Sequence, residues 1–202
     1  MRSQLVVFCV AATLALQVDI NAQSQSTSPG RPAVLGSFVQ GKYSNEVLSI
    51  ALELTPSWEI YDLAESERFS RSLPRRMHLW FRSEHDALLV SAFPVEPDEK
   101  LDEVYDVTLM GVRDGGGFQT TGKQVRTNID GCEVLFHKLR RRSEEGDQFG
   151  VYRGFFLRGY YISILHYGPK RTEETREAML RSLRINSARQ DIPKPNGATG
   201  SR

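Results

Sequence analysis

Alternation of apolar and polar residues predicts the first strands of the chain. Residues 48–54 place leucine or isoleucine at every second position, and this period of two is typical of a strand with one buried face. Strands are also predicted over residues 58–63 and 77–82. The unbroken apolar run over residues 88–93 predicts a central strand that is covered on both faces of its sheet.

Apolar spacing of three and four residues predicts a helix after Asp98, which is its candidate N-cap. The apolar stripe of this helix lies within residues 101–112, and the glycines at positions 115–117 end it. Val107 and Met110 fall outside the stripe. A strand therefore remains an alternative for the second half of the segment.

Four strands joined by tight turns are predicted next. The strands over residues 124–129 and 132–139 flank the dipeptide Asp130-Gly131, which favours a two-residue hairpin turn because both positions tolerate a positive φ. Two further strands are predicted over residues 148–157 and 160–167. The order of elements predicts an α+β protein, in which an antiparallel sheet of about six to eight strands packs with two main helices.

The second of these helices is predicted to begin at Thr172 as its cap. Its inner face contains Met179, Leu180 and Leu183, together with the aliphatic stem of Arg176. Six residues that lie on the apolar phases of their elements are expected to face a common core. The core positions predicted in this way are Trp58, Leu89, Val134, Phe155, Ile164 and Leu183.

Both ends of the chain differ in composition from the part between them. Residues 1–22 contain an apolar run that is too short to span a bilayer, and they are interpreted as a secretory signal peptide. Residues 23–33 predict a disordered linker, and residues 186–202 predict a disordered tail. We therefore expect one α+β domain over residues 34–185, in a periplasmic or secreted protein whose mature chain has no membrane span.

The start and the end of this domain resemble a known fold. Residues 41–45 (GKYSN), an alternating strand and residues 55–58 (TPSW) resemble the opening of the Ran-release-factor/PsbP fold superfamily. Residues 160–167 and the helix that runs into residues 180–185 (LRSLRI) are similar to its close. The resemblance implies a PsbP-like α/β sandwich and a non-enzymatic role, since relatives include an extrinsic photosystem subunit, a nuclear-import accessory factor and DcrB-like exported bacterial proteins.

The charge balance and the cysteine and histidine residues narrow the classes of function that the sequence allows. The 202 residues include 26 Lys and Arg against 25 Asp and Glu, which is too balanced for a dedicated nucleic-acid-binding protein. Cys132 lies at the start of an apolar strand and is expected to be a buried thiol rather than a nucleophile. The four histidines share no chelating spacing, so no metal or cofactor is expected. We expect solvated or hydrogen-bonded rings at His78, His85, His137 and His166. Of these, His137 and His166 lie in strands where a ring can be half exposed.

Arginines form the densest positive feature of the chain. Residues 64–76 predict a loop or a short surface helix that carries four of them, whereas residues 140–142 form a second run that the following acidic residues can neutralise. Guanidinium groups bind carboxylates and phosphates well. The candidate partner-binding residues are therefore Arg68, Arg71, Arg75 and Arg76.

Together these features predict an exported, monomeric, non-enzymatic binding or accessory module. Its partner is expected to be a protein or an anionic component of the cell envelope. Two alternatives stay open: a small carrier of an apolar ligand, and a hydrolase or thiol enzyme that uses Cys132 and a histidine.

Overall fold

The structure is a computed structural model that describes residues 35–54, 57–73, 75–144 and 146–186. The predicted signal peptide and linker, and the predicted tail from residue 187 onward, lie outside the described residues. The described part has two antiparallel sheets, of four and seven strands, and three α-helices. This architecture confirms the predicted α+β class, and it adds a second sheet and a third helix.

The small sheet combines the beginning and the end of the described chain, and its strand order is β1-β2-β3-β11. Asn45 closes the turn between β2 and β3, because its side-chain oxygen accepts a hydrogen bond from the Leu48 amide at 2.9 Å. Of the segment predicted as one strand over residues 48–54, only the middle is a strand. The bounds are β1 Ser37–Val39, β2 Lys42–Asn45, β3 Ile50–Glu53 and β11 Arg184–Ile185.

The large sheet has the strand order β4-β5-β6-β10-β9-β8-β7. The predicted Asp130-Gly131 turn joins β7 to β8, and both of its residues have a positive φ. All four strands predicted from residue 124 onward are longer than the apolar pattern indicates. The bounds are β4 Glu59–Tyr61, β5 Met77–Arg82, β6 Ala87–Pro94, β7 Gln119–Ile129, β8 Cys132–Ser143, β9 Gly146–Leu157 and β10 Tyr160–Pro169.

The three helices are α1 Leu63–Ser72, α2 Leu101–Gly116 and α3 Glu173–Arg181. Asp98 is not the N-cap of α2, because residues 96–99 form a separate turn in which the Glu99 amide donates to the Glu96 carbonyl at 3.2 Å. The helix is continuous through Val107 and Met110, which lie on its exposed side. This excludes a strand in the second half of the segment.

The front face of the large sheet, which we define as the face toward the small sheet and α3, carries the main core. Val134, Phe155 and Ile164 of the large sheet are all fully buried there. They pack with Trp58 and with Leu183, which follows α3. Five of the six predicted core residues therefore share one core.

The back face of the large sheet lies under α2 and carries a second core. Leu89 packs in this core, so the prediction that it joins the main core was wrong. The reason is that β6 is apolar on both faces, and odd-numbered residues of the strand point to the back. Tyr152 and Tyr161 are buried here, and both hydroxyl groups bond to the Thr108 hydroxyl of α2, at 2.7 and 2.8 Å.

Candidate functional site

The four predicted partner-binding arginines lie on α1 and on the turn that follows it. The short helix forms because Asp62 caps it, with a side-chain oxygen that accepts a hydrogen bond from the Glu65 amide at 2.9 Å. The alternative of a loop over this whole segment is thereby excluded. All four of these arginines are exposed.

The contacts of these arginines differ in strength. Arg68 lies 3.8 Å from a Glu65 oxygen, and Arg71 lies 3.0 Å from a Glu67 oxygen. The Arg68 pair is exposed on both sides, and such a pair contributes little to stability and leaves the guanidinium accessible. Arg75 is held more firmly, because its Nε donates to the Tyr160 hydroxyl at 3.4 Å and its guanidinium lies over the Tyr160 ring.

The second arginine run is divided between the two faces of the large sheet. Arg140 pairs with Asp147 on the front face, so the predicted neutralisation by a following acidic residue is confirmed there. Arg141 points to the back, where its guanidinium lies 4.9 Å from the Phe118 ring centroid and 5.1 Å from that of Tyr167. Alternation along β8 thus separates residues that are consecutive in sequence.

Cys132 is a buried thiol, as predicted. Its sulfur donates to the Phe156 carbonyl at 3.3 Å. Burial, reinforced by the nearby Glu133 carboxylate, raises the pKa of the Cys132 thiol to about 11. The thiolate that a nucleophile requires is therefore scarce at neutral pH.

Three of the four histidines are hydrogen-bonded, in agreement with the prediction. Ring nitrogens of His78, His85 and His137 lie 3.0 to 3.1 Å from the Ser91 hydroxyl, Arg171 Nη2 and the Tyr105 hydroxyl respectively. The described residues contain no cluster of three or more His, Cys, Asp or Glu side chains that could hold a metal ion.

His166 differs from the other three histidines. Its exposed fraction is only 1%, and within the described residues neither ring nitrogen has a hydrogen-bond partner. The prediction that this ring is half exposed was wrong, because β10 is a central strand and α3 lies over its front face. Burial, with further contributions from the cations of Arg176 and Arg153, lowers the pKa of His166 to about 3, so the ring is neutral.

A buried ionic cluster lies beside His166, at the junction of α3 with the turn between β5 and β6. Asp86 accepts hydrogen bonds from Arg176 Nη1 at 3.0 Å and from the Thr172 hydroxyl at 2.8 Å. The Arg176 guanidinium is itself buried, whereas the sequence pattern predicted that only its stem would be. Thr172 makes no side-chain cap bond to α3, since its hydroxyl serves Asp86 instead.

This cluster was missed from the sequence because its members are far apart in the chain. Asp86 and Arg176 are separated by 90 positions, and neither residue belongs to a recognisable motif. The one available signal was Gly168, where a side chain would collide with the Asp86 carboxylate. A glycine within an apolar strand can indicate such a close approach.

Two cavities lie near this cluster. One has a volume of about 60 Å³ and lies between α3 and the front face, with a lining that includes Phe149, Val151 and His166. The other is an open cleft of about 440 Å³ whose lining includes His85 and Arg171. The first is too small for an ordinary ligand pocket and the second is polar, so neither is the large apolar pocket that a carrier requires.

Within the described ranges, none of the helices has the length and apolar character needed to cross a lipid bilayer.

Comparisons with known proteins bear on the fold. No family model matches the chain, and no curated protein matches it in sequence. Cyanobacterial PsbP (CyanoP) from Synechocystis sp. PCC 6803 is similar in structure, with a TM-score of 0.54 and 14% identity over 71% of this chain and 91% of CyanoP.

Two weaker structural similarities extend the comparison. The Saccharomyces cerevisiae Ran-binding protein Mog1p has a TM-score of 0.41 and 11% identity, over 73% of this chain and 95% of Mog1p. A Pseudomonas aeruginosa protein of unknown function has a TM-score of 0.40 and 13% identity, over 76% of this chain and 96% of its own. The similarity to CyanoP shows a PsbP-like fold, as the sequence resemblance predicted.

Proposed function

We propose that this protein is an exported, non-catalytic binding or accessory module that recognises an acidic partner through the arginines of α1. The observation that carries the proposal is the exposure of these arginines on one short helix and its following turn. The Arg68 side chain is 79% exposed and the Arg71 side chain is 60% exposed. Such groups can form two-pronged bonds to carboxylates of another molecule.

The chemistry of the remaining candidates supports binding over catalysis. The Cys132 thiol is buried and its pKa is raised, so it lacks the features of a nucleophile. The cavity beside His166 is small, which gives the apolar-carrier alternative no site of adequate size there. The proposal of export rests on the apolar run within residues 1–22.

Charge reversal tests the proposal. Changing both Arg68→Glu and Arg76→Glu removes two positive charges and adds two negative ones, and we expect capture of the partner from the exported fraction to fall and to lose its salt dependence. Capture is measured with the tagged protein at two salt concentrations. The folded state should persist, because both side chains are exposed.

The matched control reverses Lys42 and Arg113, which are exposed basic residues on β2 and α2. This control should capture the same partners as the unaltered protein. If the Arg68 and Arg76 double variant also captures them with unchanged salt sensitivity, the α1 arginines are only a solvated surface and the proposal is rejected.

A further inference from the structure

Part of the front face of the large sheet is covered by neither the small sheet nor α3 within the described residues. Val134 near the start of β8 is fully buried in the main core, whereas Lys138 farther along the same strand is exposed. The adjoining strand β9 shows the same change, from fully buried Phe155 to partly exposed Val151 and Phe149. We name this area the β8–β9 face and define it by Phe136, Lys138, Arg140, Arg142 and Phe149, with Arg153 at its border with α3.

The β8–β9 face is strongly basic. Four of its six residues are Lys or Arg, and Asp147 is the only carboxylate among the front-facing positions of β8 and β9, whose front-facing residues are all described. Asp147 pairs with Arg140. Lys138 and Arg142 have no ion pair with any described residue. This part of a nearly neutral protein therefore offers positive charge that is unpaired among the described residues.

Two of these arginines are held in place against aromatic rings. The Arg140 guanidinium lies 5.8 Å from the Phe149 ring centroid, and that of Arg153 lies 5.8 Å from the Phe136 centroid. Arg153 Nη1 also donates to the Leu180 carbonyl of α3 at 3.1 Å. Side chains that are already ordered lose less entropy on binding, and arginine beside aromatic residues is a frequent composition of binding hot spots.

The 60 Å³ cavity opens at the edge of this face, next to α3. Phe149, Val151 and Leu180 give it apolar walls, and buried His166 contributes a neutral ring without a hydrogen-bond partner among the described residues. An apolar cavity of about 150 Å³ holds benzene, so this smaller one suits a short aliphatic side chain. Lys138 of β8 and Glu173 and Glu177 of α3 also line this cavity.

We infer that the β8–β9 face and the adjoining cavity bind an acidic peptide segment of a partner protein. The carboxylates of the segment contact Lys138 and Arg142, and a short aliphatic side chain of the segment enters the cavity beside α3. Charge complementarity selects the acidic segment, and the cavity selects an apolar residue within it. This surface is separate from the α1 arginines, so the inference goes beyond the proposed function.

The test uses a fluorescein-labelled peptide of about ten residues in which Glu alternates with Val. Fluorescence anisotropy measures its binding to the full-length protein. We expect saturable binding that a Lys138→Glu and Arg142→Glu double variant weakens by at least about tenfold, since two attractive contacts become repulsive. The control variant Lys42→Glu and Arg113→Glu should bind within about twofold of the unaltered protein. Circular dichroism confirms that each variant is folded.

Further arms of the experiment separate this inference from its rivals. The Val151→Phe variant fills the cavity without changing charge and should also weaken binding, whereas the Arg68→Glu and Arg76→Glu variant should bind normally. A peptide of alternating Lys and Val should not bind. The inference is overturned if reversal of Lys138 and Arg142 leaves peptide binding unchanged, if the α1 variant abolishes it, or if phosphatidylglycerol vesicles bind the protein while the acidic peptide does not.

Discussion

Arg176 on α3 and Arg68 on α1 place the same guanidinium group in opposite surroundings. Arg176 is 4% exposed and donates from Nη1 to Asp86 at 3.0 Å and to the Pro169 carbonyl at 2.7 Å. The Arg68 side chain is 79% exposed and lies 3.8 Å from Glu65. Because water screens the exposed pair, Arg68 remains available to another molecule, whereas Arg176 fixes α3 to the turn between β5 and β6.

Both helices contain the same Glu-x-x-Arg spacing. Glu65 precedes Arg68 by three residues, and Glu173 precedes Arg176 by three residues. On α1 this spacing gives the expected ion pair, but on α3 the arginine points inward to Asp86. The difference arises because Met179 and Leu180 bury the inner face of α3 against the main core. Tertiary packing therefore decides which of the two arginines stabilises the fold.

The largest effect is expected for Arg176→Ala. Removal of the guanidinium leaves the Asp86 carboxylate buried, with the Thr172 hydroxyl as its remaining side-chain donor among the described residues. We expect the free energy of unfolding, measured with urea, to fall by about 3 to 5 kcal/mol.

The double variant Asp86→Asn and Arg176→Met separates the charge effect from general damage to the core. Both buried charges are then absent, so this variant should be more stable than Arg176→Ala alone. If the two variants are equally unstable, packing rather than an unpaired charge explains the loss.

The next effect is a pH dependence at the same junction. The pKa of His166 is about 3 in the folded protein, below its ordinary value of 6.5, so in this range the unfolded chain binds a proton that the folded chain does not. The contribution of the neutral His166 ring to the free energy of unfolding is therefore fully present above about pH 6.5. It is lost as the pH falls toward 3, by up to about 1.4 kcal/mol per pH unit.

The variant His166→Phe isolates this contribution, because phenylalanine can keep the edge-on ring contact with Trp58 but cannot titrate. Urea unfolding at a series of pH values should show that the variant loses less stability on acidification than the unaltered protein. Parallel pH profiles for the two proteins would show that His166 does not become protonated on unfolding.

The contrast between buried and exposed positions also explains how much of the fold could be predicted. Periodicity identifies an element wherever one face is apolar, as in β8, and the Asp130-Gly131 turn requires only local backbone conformation. Periodicity failed at Leu89, because a strand that is apolar on both faces does not show which residue faces which core. Boundaries were less accurate, because pairing with β9 keeps β8 extended to Ser143, beyond its apolar residues.

Only the exposed charges of the candidate site could be predicted from the sequence. The arginines of α1 form a visible cluster in the sequence, and the structure keeps all of them at the surface. The cluster of Asp86, Thr172 and Arg176 depends on contacts between residues 86 to 90 positions apart, which no local pattern encodes. The cluster forms only because α3 packs beside the turn between β5 and β6.

An intermediate effect is expected for Arg141→Ala. Arg141 lies between the rings of Phe118 and Tyr167 on the back face, so truncation removes both cation–π contact and packing of the aliphatic stem. We expect a loss of about 1 to 2 kcal/mol in urea unfolding. Its neighbour Arg142 is exposed and serves as the control, since Arg142→Ala should change stability by less than about 0.5 kcal/mol.

The smallest effect on stability is expected for Arg68→Ala, the exposed member of the comparison. Its ion pair with Glu65 is solvated on both sides, with side chains 79% and 60% exposed, and alanine favours the helix at least as well as arginine. Urea unfolding should therefore show a change below about 0.5 kcal/mol. A loss above about 1 kcal/mol would mean that Arg68 stabilises the fold, and the contrast between a structural arginine on α3 and an available one on α1 would no longer hold.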